Sequence, residues 1–261
     1  MKLVESFLTC NEWVTFFPQA NSIYTVTNLL RAMAKFPAFC NEVDDSLGLS
    51  QEDACKKELA AFLANVSHET SQLRQVVESI CKDPESRACD WYDSQIYPFW
   101  PATEGEKYFG RGALQLSWNY NYGQFSTVAF NGGYDDKETL LNDPDEVATD
   151  GFLAFSSAMW FWMTPQSPKP SCHDVITGYF KPNQADLDLN ITDGFGAVVN
   201  VINGGIECDT DDGDEDMASY DRQTYYKQYC EAFGVSPGDN LGCANMGAFG
   251  DEGSSVYMQW W

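Results

Sequence analysis

Within residues 57–70, Leu59, Phe62, Leu63 and Val66 fall at i, i+3, i+4 and i+7. That period belongs to an α-helix whose apolar stripe must pack against other elements. The segment therefore predicts a helical protein built around it. Its end reads Ser67-His68-Glu69-Thr70, and at about 100° per residue Glu69 lies at the edge of the stripe. Partial burial of a carboxyl at such an edge favours the protonated form that a general acid requires.

Further helices follow from the same period. Residues 25–36 carry Val26, Leu29, Leu30, Met33 and Phe36, and the pattern stops before Pro37. Asp143-Pro144 pairs an N-cap with a first-turn proline, predicting the start of a helix that presents Phe152, Phe155, Met159 and Trp162. Residues 221–233 place Arg222, Tyr226, Tyr229 and Phe233 on one face, with Gly234 as C-cap. An arginine on an apolar face calls for a buried carboxylate partner. The stretches 79–107 and 164–190 are rich in Pro, Asp and Ser and read as long loops, functional or tied by disulfides. The expected architecture is mainly α-helical with long loops and one small hairpin.

The chain has 261 residues, without repeats, an interior linker or a continuous apolar run of membrane-spanning length, so it reads as one domain. Its nine cysteines include no CxxC pair, and His68 and His173 stand far apart. A zinc site is therefore not expected, and no metal or cofactor is assigned. Scattered cysteines at this density fit a secreted, disulfide-stabilised protein. Nine is odd, so one thiol must stay free; Cys230, beside Tyr229 on a core-facing helix, is the choice. The N-terminus lacks the apolar run of a signal peptide, so either a signal has been removed and a start Met supplied, or the protein stays inside the cell. The net charge of −24 repels nucleic acid, anionic lipid and anionic wall polymers, but does not oppose a neutral polysaccharide. Residues 209–216 are strongly acidic but miss the calcium-loop register, because Gly213 falls where a ligand should be.

Glu78 follows Glu69 by nine residues. Nine residues of continuous helix would turn it to the opposite face and carry it about 13.5 Å along the axis. For both carboxylates to meet one ligand, the chain must leave the helix after Thr70, and the β-prone residues 76–80 allow that. Tyr108 to Tyr122 then supplies amide, hydroxyl and aromatic side chains suited to a neutral, hydroxylated, ring-containing ligand. Two carboxylates facing such a ligand are the minimum equipment for glycoside hydrolysis.

These residues resemble the chitinases of glycoside hydrolase family 19. The matching motifs are Ser67-His68-Glu69-Thr70, Glu78, Tyr108 to Tyr122, Asn142-Asp143-Pro144, Trp160 to Thr164, Lys169 to Ile176, Gly194-Phe195-Gly196, Asn203 to Cys208 and Tyr226 to Cys230. The resemblance spans about 16–243, is closer to the shorter-loop members, and leaves the tail 244–261 without a counterpart. It implies a two-lobed, lysozyme-like α-helical fold, a monomer, and chitin and chitooligosaccharides as partners. It makes Glu69 the general acid and Glu78 the general base, with Ser117 holding the attacking water. Thr70, Trp100, Tyr108, Gln115, Tyr120, Asn121, Lys169 and Asn203 would bind sugar, and Arg222 with Glu207 would form a supporting network. Cys208–Cys243 looks like a family bridge. Ala102 stands where the family often has cysteine, so the usual loop disulfide is absent or rerouted as Cys81–Cys89. Ala113 and Trp118 also depart, standing where proline and, in plant members, histidine are common.

The leading expectation is an endo-acting, inverting hydrolase of β-1,4-linked N-acetylglucosamine. A peptidoglycan hydrolase is a rival that the negative charge disfavours. A chitin-binding protein without activity is the other, and both glutamates argue against it.

Overall fold

The computed structural model describes residues 2–83, 89–90, 92–93, 97–130, 133–208 and 217–250. The acidic run 209–216 and residues 251–261 of the tail lie outside the described residues. Six longer helices carry the architecture: α1 (Val26–Met33), α2 (Gln51–Glu69), α3 (Asn119–Ala129), α4 (Gly151–Met163), α5 (Phe195–Glu207) and α6 (Met217–Phe233). Shorter helical turns join them. The fold is mainly α-helical, and among the described residues no strand forms. Where a small hairpin was expected, Arg111 makes isolated antiparallel bridges with Val77 and with Leu116.

The chain forms two compact units, one comprising Leu8–Phe36 and Glu69–Phe161, the other Lys2–Phe7, Pro37–His68 and Trp162–Trp261. In the first, Tyr122 and Phe125 of α3 pack with Leu140, Leu141, Val147, Leu153, Trp160 and Tyr108, all nearly inaccessible. In the second, Leu59, Phe62, Leu63 and Val66 of α2 are fully buried. Ala60, Ala61, Ala64, Asn65 and Ser67 are buried beside them, so from Glu58 to Ser67 the helix is enclosed on all faces rather than along a stripe. Phe62 meets Phe39 and Trp162 edge-on, and Phe195 of α5 stacks on Tyr226 of α6 with centroids 4.1 Å apart.

Local chemistry sets the helix ends. The Thr25 hydroxyl accepts from Asn28 N and starts α1, and Gly234, in the left-handed region at φ 72°, ends α6. Asp143-Pro144 does not open the long helix as expected. Only the short turn Glu146–Thr149 follows it, and α4 begins at Gly151, capped by the Asp150 carboxylate, which accepts from Phe152 N and Leu153 N. Gly151 lies against the Ile23 backbone, where an added Cβ would come within 2.0 Å of the carbonyl oxygen. The stretch 164–190 is less irregular than expected, because Cys172–Thr177 and Gln184–Asp188 are helical, each opened by a side-chain cap.

Three disulfides lie among the described residues: Cys40–Cys55, Cys81–Cys89 and Cys208–Cys243. Cys10, Cys172 and Cys230 are free, the last two buried. Residues 244–250 pack onto the second unit, with Phe249 edge-on to Phe180 and the Gly247 carbonyl accepting from Asn200.

Candidate active site

Helix α2 ends at Glu69, and the chain reverses at once. Ser71, Gln72 and Leu73 occupy the left-handed region at φ 51°, 61° and 60°. Three consecutive non-glycine residues there cost roughly 1–2 kcal/mol each, so the turn needs support. Thr70 provides it: its hydroxyl accepts from Leu73 N at 2.7 Å and its carbonyl from Arg74 N and Gln75 N. The Leu73 side chain is fully buried and its carbonyl accepts from Asn21 N. Thr70 is itself fully buried. The structure thus assigns it to this turn, where a sugar contact was expected.

Beyond the turn the chain is extended, as the β-prone residues suggested. Val76 and Glu78 pair with the segment around Arg111: Gly112 N donates to the Val76 carbonyl and Glu78 N to the Gly110 carbonyl, at 2.9 and 2.8 Å. Gly112 sits at φ 77°, and a Cβ there would come within 3.0 Å of the Ala154 carbonyl oxygen, a position suited to glycine. Arg111 locks the partner segment. Its buried guanidinium pairs with Asp145 at 2.7 Å and donates to the Lys107 carbonyl and the Tyr122 hydroxyl.

Glu69 and Glu78 are both half-buried. The Glu78 carboxylate accepts from Gly110 N at 3.3 Å and from the Tyr92 hydroxyl. Burial first, and then the neighbouring carboxylate, push the Tyr92 phenol upward, so it stays a donor. Tyr92 was not singled out in the sequence, where a lone tyrosine in a loop carries no signal. Its ring meets Trp118 edge-on, Trp118 stacks on Tyr120, and Tyr120 meets Tyr97 at 4.6 Å, making a continuous aromatic row. Tyr120 is partly buried, and burial followed by Tyr97 pushes its phenol up to about 12.

The remaining expected residues separate into two groups. Ser117 is half-buried and donates to the Gln115 carbonyl, leaving its own oxygen able to accept. Gln115, at φ 51°, donates to the Gly112 carbonyl. Asn121 donates to the Ser117 carbonyl, while its side-chain oxygen is buried with no donor among the described residues. An unused buried carbonyl of this kind invites an N–H donor from a ligand. Tyr108 and Trp100, by contrast, belong to the interior. Tyr108 is 1% exposed, and its hydroxyl both donates to the Leu141 carbonyl and accepts from Thr103 N. The Trp100 ring is buried against Gly123, where a Cβ would approach it to 2.7 Å. Tyr97, which also precedes a proline, and Phe99 are the exposed aromatics among the described residues of this stretch.

Lys169, Asn203, Glu207 and Arg222 belong to the second unit. Helix α5 loses its helical geometry at Asn203 (φ −144°, ψ 31°). The Lys169 ammonium reaches the Val201 carbonyl at 2.9 Å and the Asn200 carbonyl at 3.5 Å, just before that kink. Desolvation lowers its pKa. Glu207 takes two parallel hydrogen bonds from Arg222, at 2.8 and 2.6 Å, and a third from Asn203. Arg222 also donates to Asn65, so the buried arginine has the carboxylate partner its sequence position demanded. Burial raises the Glu207 carboxyl, but the Arg222 bonds and charge outweigh it, and the net shift is downward.

Residues 10–243 match the family described as chitinase class I, glycoside hydrolase family 19. Endochitinase 3 of Solanum tuberosum is 44% identical over 239 residues, covering 88% of this chain and 69% of that protein. An inactive chitinase-like protein of Hevea brasiliensis is 41% identical over 88% of this chain and 70% of its own length. The crystal structure of a family 19, class IV chitinase from Zea mays superposes with a TM-score of 0.68 at 31% identity, covering 92% of this chain and all of that one. With the match spanning both units, the chain belongs to the family 19 chitinases and is a glycoside hydrolase.

Proposed function

We propose that this protein is an endo-acting chitinase that cleaves β-1,4 linkages between N-acetylglucosamine residues with inversion. In this reading residues 1–261 are one catalytic domain, monomeric and secreted, and the three disulfides support an oxidising compartment. Glu69 donates its proton to the glycosidic oxygen as the C1–O bond breaks. Glu78 takes a proton from a water that attacks C1 from the opposite face. Ser117, with one lone pair uncommitted, accepts from that water. The aromatic row Tyr97, Tyr120 and Trp118 offers ring faces to sugars, and the Asn121 oxygen suits an acetamido N–H.

The observation that carries the proposal is the left-handed turn at Ser71–Leu73 followed by the paired segment Val76–Glu78. It carries the chain out of helical geometry before Glu78, whose carboxylate is held by neutral donors alone among its described contacts. A base needs such a group, because a cation bound to it would compete for the proton's place.

Early-time proton NMR of a chitin hexamer digest tests the mechanism. An α-anomer at the new reducing end before mutarotation is expected. A β-anomer at first turnover would mean retention and would remove Glu78 from the role of base. The inactive relative from Hevea brasiliensis makes binding without hydrolysis the second reading. Oligomer binding with no product at all would favour it.

A further inference from the structure

The acid–base reading leaves one feature beside Glu78 unused. A carboxylate oxygen of Glu78 and the sulfurs of Cys81 and Cys89 all lie within 4.8 Å of one another. Glu78 precedes the 3₁₀ turn Ser79–Cys81, and Cys81 N donates to the Glu78 carbonyl at 3.0 Å. Glu78 is the N-cap of that turn, so a single tight turn of chain separates it from Cys81. The disulfide ties Cys89 to Cys81 from eight positions on. Cys81 is 8% and Cys89 2% exposed, so both sulfurs are sheltered from bulk water.

Two sulfurs and a carboxylate oxygen match the ligands of zinc, bound at about 2.3 Å to thiolate and about 2.0–2.2 Å to carboxylate. Tetrahedral bonds of those lengths space ligand atoms about 3.4–3.8 Å apart, closer than the limit that already encloses the three. We propose that, once the Cys81–Cys89 disulfide is reduced, the two thiolates and Glu78 form a binding site for a borderline-soft divalent cation of the zinc type. The disulfide closes this site. A dithiol reductant opens it, giving up two electrons and two protons as it becomes a disulfide, while Cys81 and Cys89 take them up as thiols. The cation then displaces both thiol protons as two metal–sulfur bonds form, with Glu78 as third ligand and water as fourth. The Tyr92 hydroxyl, already on Glu78, orients the carboxylate from outside. Resting on the reading of Glu78 as base, the consequence is inhibition: a carboxylate bound to the cation cannot accept the proton of the attacking water.

Cobalt(II) is the probe, added to the full chain after reduction by a phosphine, which takes the oxygen of water and leaves its protons to the thiols. A thiolate-to-cobalt charge-transfer band and tetrahedral visible bands are expected, titrating with one cobalt per chain and displaced by zinc. C81S/C89S, which keeps the other cysteines, should lack them, and E78Q should need more cobalt to saturate. No band beyond that of the double variant overturns the site, and an unshifted E78Q titration removes Glu78 from it. Should the double variant not fold, peptide mapping after alkylation replaces it: zinc should shield Cys81 and Cys89, and unshielded thiols overturn the proposal. Zinc should also lower turnover of the reduced enzyme by roughly the 10²-fold or more that losing a base costs, reversibly with a chelator, and leave the oxidised enzyme unchanged. A cobalt band with turnover unaffected by zinc would sink Glu78 as base and leave the site standing. No band with an inactive E78Q would do the reverse.

Discussion

Four glutamates divide evenly between the two units and are treated in opposite ways. In the second unit Glu58 and Glu207 are each 1% exposed. Glu207 is clamped by Arg222, and Glu58 accepts from Cys40 N and Trp162 and lies 2.6 Å from His173 Nδ1. In the first unit Glu69 and Glu78 are half-buried, and Glu78 meets a backbone N–H and a phenol. A carboxylate fully committed to a buried cation is a structural element, whereas one held by neutral donors and open to solvent can still exchange a proton. The residue type is the same, and the partner decides what it does.

The largest effect should separate the two kinds of glutamate by activity. E69Q and E78Q should each lose ~10²–10⁴ in turnover on a chitin oligomer, with melting temperatures near wild type and oligomer binding retained. Near wild-type turnover in either folded variant would sink the acid–base assignment. E207Q should do the opposite. It leaves the Arg222 guanidinium buried without an anion, costing about 3–5 kcal/mol in denaturant unfolding. A loss below about 1 kcal/mol would place that pair with weak surface bridges.

The supporting donor falls between these extremes. Y92F removes a hydrogen bond to an ionised group, of the kind worth about 1.5–3 kcal/mol. Turnover should fall roughly tenfold or more while the fold is kept. An unchanged rate would show that Gly110 N alone suffices to hold Glu78.

Two smaller effects concern stability against pH and backbone strain. Burial alone would lower the His173 pKa, but the bond and charge of Glu58, with Asp174 and Glu42, leave it raised above the ordinary 6.5. Its stabilisation is therefore complete below pH 6.5 and lost as pH rises through the folded-state value. Denaturant midpoints of wild type should decline from pH 6 to 9 more steeply than those of H173Q, and parallel curves would contradict the pairing. Glu207 has the opposite sign. Its lowered pKa gives stability above the ordinary 4.5 that is lost on acidification, a limb E207Q should flatten. S71G should have the smallest effect, a gain of about 0.5–1 kcal/mol from relieving a left-handed residue, net of glycine's entropy. A loss on unfolding would mean that the Ser71 side chain supports the turn.

Much of the helical frame was legible because helix formation leaves a local, periodic record. The stripe of α2, the stop of α1 before Pro37 and the Gly234 end could all be read within a few residues. The need for a partner at Arg222 was legible for a related reason, since a guanidinium on an apolar face is an unsatisfied charge wherever it is buried. That the chain must leave the helix after Thr70, if Glu69 and Glu78 are to meet one ligand, also followed from helical rotation.

How the chain leaves that axis did not follow. Ser71, Gln72 and Leu73 have no glycine among them to announce a left-handed turn, and it stands because Thr70 and the burial of Leu73 hold it. The sequence also could not separate the buried Tyr108 and Trp100, aromatic and motif-borne, from the more exposed Tyr97 and Tyr120. Ring type says that a residue packs, and only the folded structure says how deeply. Asp143-Pro144 had the right chemistry for a helix start, but α4 starts only at Gly151, capped by Asp150. Propensity and periodicity are local energies fixed by neighbours in the chain. The partners of Glu78, Thr70 and Tyr108 are non-local, and only the folded backbone brings them within hydrogen-bonding reach.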